Sequence, residues 1–366
     1  MSYPAYPGGY VYYNELVQGA DYGVIVWLPI IAVYMTLIAI ASGSTIALAA
    51  SILTGNRTLL RIAPILFAVS LSTSLVFLLG PLADLRRPDR FYMILLSPHI
   101  LPSSTHPGVS VIALIATILW PLLIILLVIT GLSAGLTARF KVSMSPLTLK
   151  ILAFILLLVA IAWSMYPSLL LFTTTPIPAF INYMPLLPIE TLLESVVVGV
   201  SLASIPIILH RVNVEKDDLK LLTSIILLAS GFFVILRLLG ILRLRVHLAG
   251  GEEVRTLVEA LEPLNTIVLL AGLVVFVLGL AGLRRPSSQV LAMVSLVAVA
   301  WVLLDRWMLV VNTQAVSRTG LAILPLEVTL GAWVLESIAL VLLSMGVYTI
   351  LTWLIVPVKV TGGEGR

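Results

Sequence analysis

The chain has 366 residues, of which 60% are hydrophobic and 10% are charged. A soluble domain has about 25% charged residues, so this composition excludes a soluble domain and predicts a polytopic membrane protein. It contains no cysteine, which excludes disulfides, intrinsic iron–sulfur clusters and thiolate metal sites. The net charge of +4 is typical of basic loops that orient a membrane protein, so nucleic acid is not an expected partner and membrane lipid is.

Hydropathy predicts an all-α fold with about nine transmembrane helices. Each crossing needs about 20 apolar residues, so the chain has no room for a soluble domain and forms a single integral membrane domain. We expect a first helix bundle at 24–209, which carries the functional site, and a second at 219–356. The apolar runs cover residues 24–53, 62–82, 108–136, 149–172, 187–209, 219–244, 263–283, 288–312 and 326–356.

The distribution of basic residues predicts the orientation in the cell membrane. Residues 1–22 contain no Lys or Arg, which indicates neither a secretory signal nor a basic anchor. With the N-terminus outside, the loops and tail on the inner side hold more than half of the 21 basic residues, as expected for cytoplasmic loops. The first helix is then an uncleaved signal-anchor, and nine crossings place the C-terminus inside.

A dense charge cluster at residues 84–91 follows the second apolar run. It reads Asp-Leu-Arg-Arg-Pro-Asp-Arg-Phe and falls on the predicted outer side, where positive charge does not serve orientation. This position predicts another role for the cluster. One such role is to hold a docking surface together through pairing of the arginines with Asp84 or Asp89, and the alternative is a purely structural helix cap and loop staple.

Polar and ionisable residues within the predicted helices gather towards the outer side. Such residues are costly in a bilayer and usually face a cavity or a partner, so they predict a one-sided polar pocket. The alternative is that Asp305 or Glu336 pairs with Arg237 or Arg306 and so holds two helices together. The residues are Tyr34, Tyr166, Glu190, Glu194, Arg237, Asp305, Arg306, Glu327 and Glu336.

Helical spacing indicates which acids share a face. Glu190 and Glu194 are four residues apart, so both should face one groove. Glu327 and Glu336 are nine apart and point in nearly opposite directions, so only one of them faces a given cavity.

The four histidines fall in predicted loops or at helix ends, at positions 99, 106, 210 and 247. A membrane cytochrome b needs His pairs within facing helices, so we expect no haem, and we expect no metal site. Any electron handled here must therefore arrive from, or leave to, another subunit.

Residues 243–262 form a charged, helix-prone connection between two predicted spans. We expect this segment to lie along the membrane surface as a short amphipathic piece.

Four stretches resemble a known family. Residues 27–34 read Trp-Leu-Pro-Ile-Ile-Ala-Val-Tyr and precede a small-residue patch at 41–44. The cluster at 84–91 resembles the family's D-L-G-R-P-x-R-F signature, and 306–314 resembles its Arg-x-x-x-V…Q ending. The pattern is similar to that of NrfD/PsrC-type proteins, the membrane subunits of polysulfide, tetrathionate and related reductases.

The resemblance implies a membrane anchor that oxidises a menaquinone-like quinol and passes electrons to an iron–sulfur subunit, which serves a molybdopterin catalytic subunit. It implies sulfur or polysulfide as the terminal acceptor. By position, Tyr34 and Tyr166 match quinone-site residues of the family. Asp84, Arg87 and Arg90 match its signature loop, with the two arginines as cofactor-binding residues.

Quinol chemistry fits these residue types. Oxidation releases two electrons and two protons, so the site needs hydrogen-bond partners for the ring oxygens, an apolar slot and a proton exit. Tyr34 and Tyr166 supply phenols, and the carboxylates of Asp84, Glu190 or Glu194 are candidates for the exit. The predicted inner halves of the helices lack an obvious relay, so we expect no proton pump across the full membrane.

Three alternatives stay open at this point. The same site run in reverse would reduce quinone with electrons from a hydrogenase or cytochrome partner. A secondary transporter also has buried charges and proline-broken helices, although its polar residues are expected near the midplane. A passive anchor would bind no ligand.

Overall fold

A computed structural model of the chain describes residues 29–84, 114–140, 142–174, 186–209, 216–247, 252–315 and 331–354. Helices account for nearly all of these residues, which confirms the predicted all-α class. A π-helical turn at Ile115–Leu119 leads into α4. The helices are α1 (Ile30–Thr54), α2 (Arg57–Val76), α3 (Leu79–Asp84), α4 (Trp120–Ser133), α5 (Pro146–Thr174), α6 (Leu187–Leu209), α7 (Lys216–His247), α8 (Glu252–Arg284), α9 (Ser288–Val310) and α10 (Ala332–Thr352).

The helices are long enough to cross a bilayer. Within the described ranges, eight helical stretches meet the length and composition of a membrane span, and they involve every helix except α6. Helix α6 has 23 residues. At about 1.5 Å per residue it measures about 35 Å, which exceeds the roughly 30 Å hydrocarbon core. The chain is therefore a multi-pass integral membrane protein, and the side on which each terminus lies stays a prediction.

Helix α1 lies at the centre and packs against α2, α5, α6 and α9. Nearly all of its side chains are buried, including hydroxyl groups that have no water to bond within a bilayer. Several of these hydroxyls donate to carbonyls one turn earlier in the same helix, for example Thr36 to Ala32 and Ser42 to Ile38, both at 2.8 Å. Thr36 and Ser42 are thus accommodated in the centre without a partner from another helix.

Helix α6 joins two parts of the molecule. It packs against α1 and α5 on one side and against α7 and α9 on the other, while α7, α8 and α9 are neighbours in chain order. Helix α10 packs against α2. The division into bundles at 24–209 and 219–356 stays a prediction.

Helix ends follow local capping rules. The Asn56 side chain accepts a hydrogen bond from the Leu59 amide at 3.1 Å and starts α2, and Ser287 does the same for Val290 at 3.2 Å and starts α9. Gly55 ends α1 with a φ of 65°, a left-handed conformation that glycine adopts without strain.

The expected surface piece at 243–262 is wrong. Helix α7 continues to His247, and α8 begins at Glu252 and runs unbroken into its membrane span. Residues 252–262 are mostly strong helix formers with no glycine among them, and the helix continues through Pro263 although that residue lacks a backbone N–H to donate. With 33 residues α8 is about 50 Å long, so one end extends well beyond the hydrocarbon core.

Candidate functional site

Two tyrosines from different helices meet in the interior. Tyr34 of α1 and Tyr166 of α5 are 132 positions apart, yet the Tyr34 hydroxyl donates a long hydrogen bond of 3.4 Å to the Tyr166 hydroxyl. The side chains are 2% and 3% exposed. The structure thus brings together the two phenols that the sequence singled out for one site.

Aromatic rings enclose this pair. The Phe77 ring centroid lies 5.8 Å from that of Tyr34 and 5.1 Å from that of Trp163, and Trp163 lies 5.8 Å from Tyr166 in an edge-on contact. The Trp163 indole N–H donates to the Leu119 carbonyl at 3.1 Å. This hydrogen bond fixes the orientation of the Trp163 ring, which contacts both Phe77 and Tyr166. The two hydroxyls are therefore the polar ends of an otherwise apolar cluster.

Helix α3 packs closely against Tyr34 at Gly80. A Cβ added to Gly80 would lie 2.6 Å from the Tyr34 Cβ, closer than real Cβ contacts. Glycine is therefore what allows α3 to reach the tyrosine. Residue 84 lies four positions further along α3, hence on the same helix face as Gly80.

The cluster at residues 84–91 falls almost entirely outside the part of the chain that the structure describes. Arg87 and Arg90 lie outside the described residues, and so does the side chain of Asp84. Their roles stay predictions from the sequence.

A second polar group lies between α6, α7, α8 and α9, and Arg237 of α7 is its hub. Its Nη2 donates to Asp305 Oδ1 at 2.8 Å and its Nη1 to Asn265 Oδ1 at 3.0 Å. Its Nε lies 2.9 Å from Glu190 Oε2. The guanidinium also sits 4.9 Å above the centre of the Phe233 ring.

Arg306 is the second cation of the group. Its Nη1 donates to Asp305 Oδ2 at 3.1 Å, and its Nη2 lies 2.7 Å from Glu194 Oε2. We call the six side chains the buried charge cluster: Glu190, Glu194, Arg237, Asn265, Asp305 and Arg306. All are at most 3% exposed.

The buried charge cluster tests two predictions made from the sequence. Glu190 and Glu194 do face one groove, as their spacing predicted. The pairing alternative is confirmed for Asp305, which bonds both arginines. The pair of Asp305 with Arg237 joins α9 to α7 in an environment where each lone charge is costly.

A close helix crossing lies beside the cluster. Gly43 of α1 faces the backbone of Ser195 and Gly199 in α6, and a Cβ on Gly43 would overlap the Ser195 carbonyl. The Ser44 hydroxyl donates to the Gly199 carbonyl at 3.1 Å. Small residues that let two helices approach and a serine that bonds across them are typical of membrane helix packing.

Glu336 is not a member of the buried charge cluster. It lies on α10 one turn before Leu340 and two turns before Ser344, the two most buried residues of that helix. Its Oε2 atom is buried and has no hydrogen-bond partner among the described residues. Glu327, the other acid considered with it, lies outside the described residues.

Sequence reasoning missed three contributors to these sites. Asn265 bonds Arg237, Gly80 admits α3 to Tyr34, and Phe77 closes the aromatic cluster. An amide within the apolar run of α8 was a usable signal for Asn265. The other two had none, since one glycine and one phenylalanine are ordinary in a membrane helix.

Metal ligands are not clustered in the part of the chain that the structure describes: no three His, Asp or Glu side chains there are arranged to hold an ion.

Comparisons with known proteins agree on one family. The sequence profile of the family described as "Polysulphide reductase, NrfD" matches residues 18–317, which include both tyrosines and the buried charge cluster. The chain is also similar to a protein of Archaeoglobus fulgidus that is named as a subunit of tetrathionate reductase. The two are 29% identical over 370 aligned positions, which cover 96% of each chain.

Proposed function

Since the chain belongs to the polysulphide reductase NrfD family, we propose that it is the membrane subunit of a molybdopterin and iron–sulfur reductase complex and that it oxidises a menaquinone-like quinol. The observation that carries the proposal is the pair of buried hydroxyls of Tyr34 and Tyr166, 3.4 Å apart. An apolar site with a few convergent polar groups is the expected form of a small-molecule site.

The spacing of the hydroxyls restricts how a quinol binds. Its two oxygens lie at opposite ends of a six-membered ring, so hydroxyls 3.4 Å apart engage the same oxygen. Tyr34 and Tyr166 then act as one hydrogen-bonding unit for one end of the ring. Phe77 and Trp163 offer aromatic faces for the ring itself.

In this proposal, the segment that begins at Asp84 binds the second oxygen of the quinol and accepts its protons. Residue 84 lies one helical turn after Gly80, the residue at which α3 contacts Tyr34, whereas Glu190 and Glu194 are engaged with arginines. We therefore rank Asp84 above both glutamates as the group that accepts a proton. Arg87 and Arg90 remain candidates to bind the second oxygen.

The partners follow from the chain's lack of redox groups. The sequence has no cysteine for a cluster, so electrons from the quinol pass to an iron–sulfur subunit and on to a molybdopterin subunit. Polysulfide and tetrathionate, the acceptors in the names of the family and the relative, both contain sulfur–sulfur bonds. We propose an acceptor of this class: two electrons from one quinol cleave one sulfur–sulfur bond into two sulfur anions, and two protons are released.

Tyrosine to phenylalanine substitutions test the site in the intact complex. Tyr34→Phe and Tyr166→Phe should each lower quinol-dependent reduction of tetrathionate or polysulfide. Tyr348→Phe is the matched control, because Tyr348 has a buried hydroxyl without a hydrogen-bond partner among the described residues and lies on α10. Turnover that is unchanged in both site variants overturns the assignment of the tyrosines.

Mass spectrometry of the complex in mild detergent tests the partners. Iron–sulfur and molybdopterin subunits together with a stoichiometric quinone are expected. A chain that purifies alone and free of quinone contradicts the proposal and favours the transporter alternative.

A further inference from the structure

The formal charges of the buried charge cluster do not balance. Three carboxyl groups, those of Glu190, Glu194 and Asp305, face two guanidinium groups. Arginine stays protonated in proteins, so three ionised carboxylates would leave one net negative charge. All five side chains are 4% exposed or less. An unbalanced charge at such a depth is strongly unfavourable.

No further charged group compensates within the described part of the chain. The charged groups that act on Glu194 are Arg306, Asp305, Arg237 and Glu190, and those that act on Glu190 are Arg237, Asp305 and Arg306. Helix α1, which packs against α6, has no charged residue, and the only charged residue of α5 is Lys150, near its start. Among the described residues, therefore, the excess charge has no counter-ion outside the cluster, and neutralisation there falls to a member of the cluster itself.

The contacts single out one carboxyl group. Asp305 accepts a hydrogen bond on each oxygen from a different guanidinium, at 2.8 and 3.1 Å, which suits an ionised carboxylate. Neither buried oxygen of Glu194 accepts a hydrogen bond among the described residues: Oε2 lies 2.7 Å from Arg306 Nη2 as an ion-pair contact, and Oε1 has no partner. In Glu190 only Oε2 lacks a hydrogen bond in this way. An ionised Oε1 would lack any donor, whereas a carboxylic acid carries its own hydrogen there.

We propose that Glu194 binds a proton, which makes the buried charge cluster neutral and gives this chain a proton-binding site apart from the Tyr34–Tyr166 pair. In this state Glu194 Oε2 is the carbonyl oxygen that faces Arg306, and Oε1 carries the hydrogen. Glu190 and Asp305 are ionised and balance the two arginines. This site does not depend on the proposed quinol chemistry.

Infrared spectroscopy of the intact complex tests the assignment directly. A protonated carboxyl group has a carbonyl stretch distinct from that of a carboxylate, and it shifts in heavy water. Glu194→Gln should abolish one such band, whereas the matched control Glu190→Asp, one turn earlier on α6, preserves the charge balance of the cluster and should retain it. Glu194→Asp keeps a carboxyl group and should shift the band without removing it, which guards against a variant that fails to assemble.

Two results would overturn the proposal. One is a band that survives in Glu194→Gln at full intensity, or is missing from the unaltered complex. The other is a sodium effect: if melting temperature rises when sodium chloride replaces choline chloride, and Glu194→Gln removes that rise, a sodium ion neutralises the cluster instead. We expect equal melting temperatures in the two salts.

Discussion

Gly43 of α1 and Ser195 of α6 lie so close that a Cβ on the glycine would overlap the serine's carbonyl oxygen. The obstacle is main chain on both sides, so no side chain can rotate away to make room. The two helices would have to separate at the point where Ser44 also bonds Gly199.

Gly43→Ala should therefore prevent the helices from packing and lower the yield and melting temperature of the protein. The matched control is Gly240→Ala, since a Cβ on that helical glycine meets nothing within 4 Å. Alanine is the better helix former by about 1 kcal/mol, so the control should be neutral or slightly stabilising. Equal melting temperatures for the two variants in detergent would contradict the close crossing.

Gly80→Ala tests the contact between α3 and Tyr34 without touching the hydroxyl. The new methyl group would lie 2.6 Å from the Tyr34 Cβ and should displace the ring. Quinol-dependent turnover should fall while the complex still assembles, because α3 is a short helix at one end of the bundle. Turnover equal to that of the unaltered complex, with normal assembly, would show that Tyr34 need not hold this position.

Asp305→Asn should be among the most destabilising single changes in the chain. It removes the anion that two guanidiniums share, and breaking a buried ion pair costs about 3 to 5 kcal/mol. Glu259→Gln provides the comparison, because it breaks the exposed pair with Arg255 on α8, where solvent weakens the interaction. Thermal unfolding of both variants should differ clearly, and similar melting temperatures would argue against the cluster as a structural centre.

A double-mutant cycle tests whether Tyr34 and Tyr166 act on one ligand oxygen. A lost hydrogen bond costs about 0.5 to 1.5 kcal/mol, which is at most about tenfold in kcat/KM for each single Phe variant. If the hydroxyls form one unit, the double variant should lose less than the product of the two single effects. Fully multiplicative effects would indicate that the two phenols act independently.

The absence of cysteine makes the predicted orientation testable. Single substitutions Ser2→Cys and Arg285→Cys introduce the only thiol in their respective chains. With the N-terminus outside, an impermeant maleimide should label the first in intact cells, and the second only after the membrane is opened. The reverse pattern would invert the topology.

The helices and the two tyrosines could be predicted from the sequence, because hydropathy marks each span and a phenol deep in a span needs a polar partner. The connections among Glu190, Arg237 and Asp305 could not. They depend on which helices are neighbours, and apolar helices of similar composition do not encode their order of packing. The course of α8 was misjudged for a different reason: charge indicates exposure to water, but it does not end a helix.

The position of Glu190 and Glu194 on α6 has a consequence for how the chain enters the membrane. When α6 leaves the ribosome, the arginines that its acids contact have not yet been made, since Arg237 follows on α7 and Arg306 only on α9. The face of α1 that carries Gly43 is synthesised earlier, and its packing partner on α6 is not yet present. Helices α6 to α9 should therefore stay at the translocon until they can be released into lipid together, with α1 held nearby to receive them.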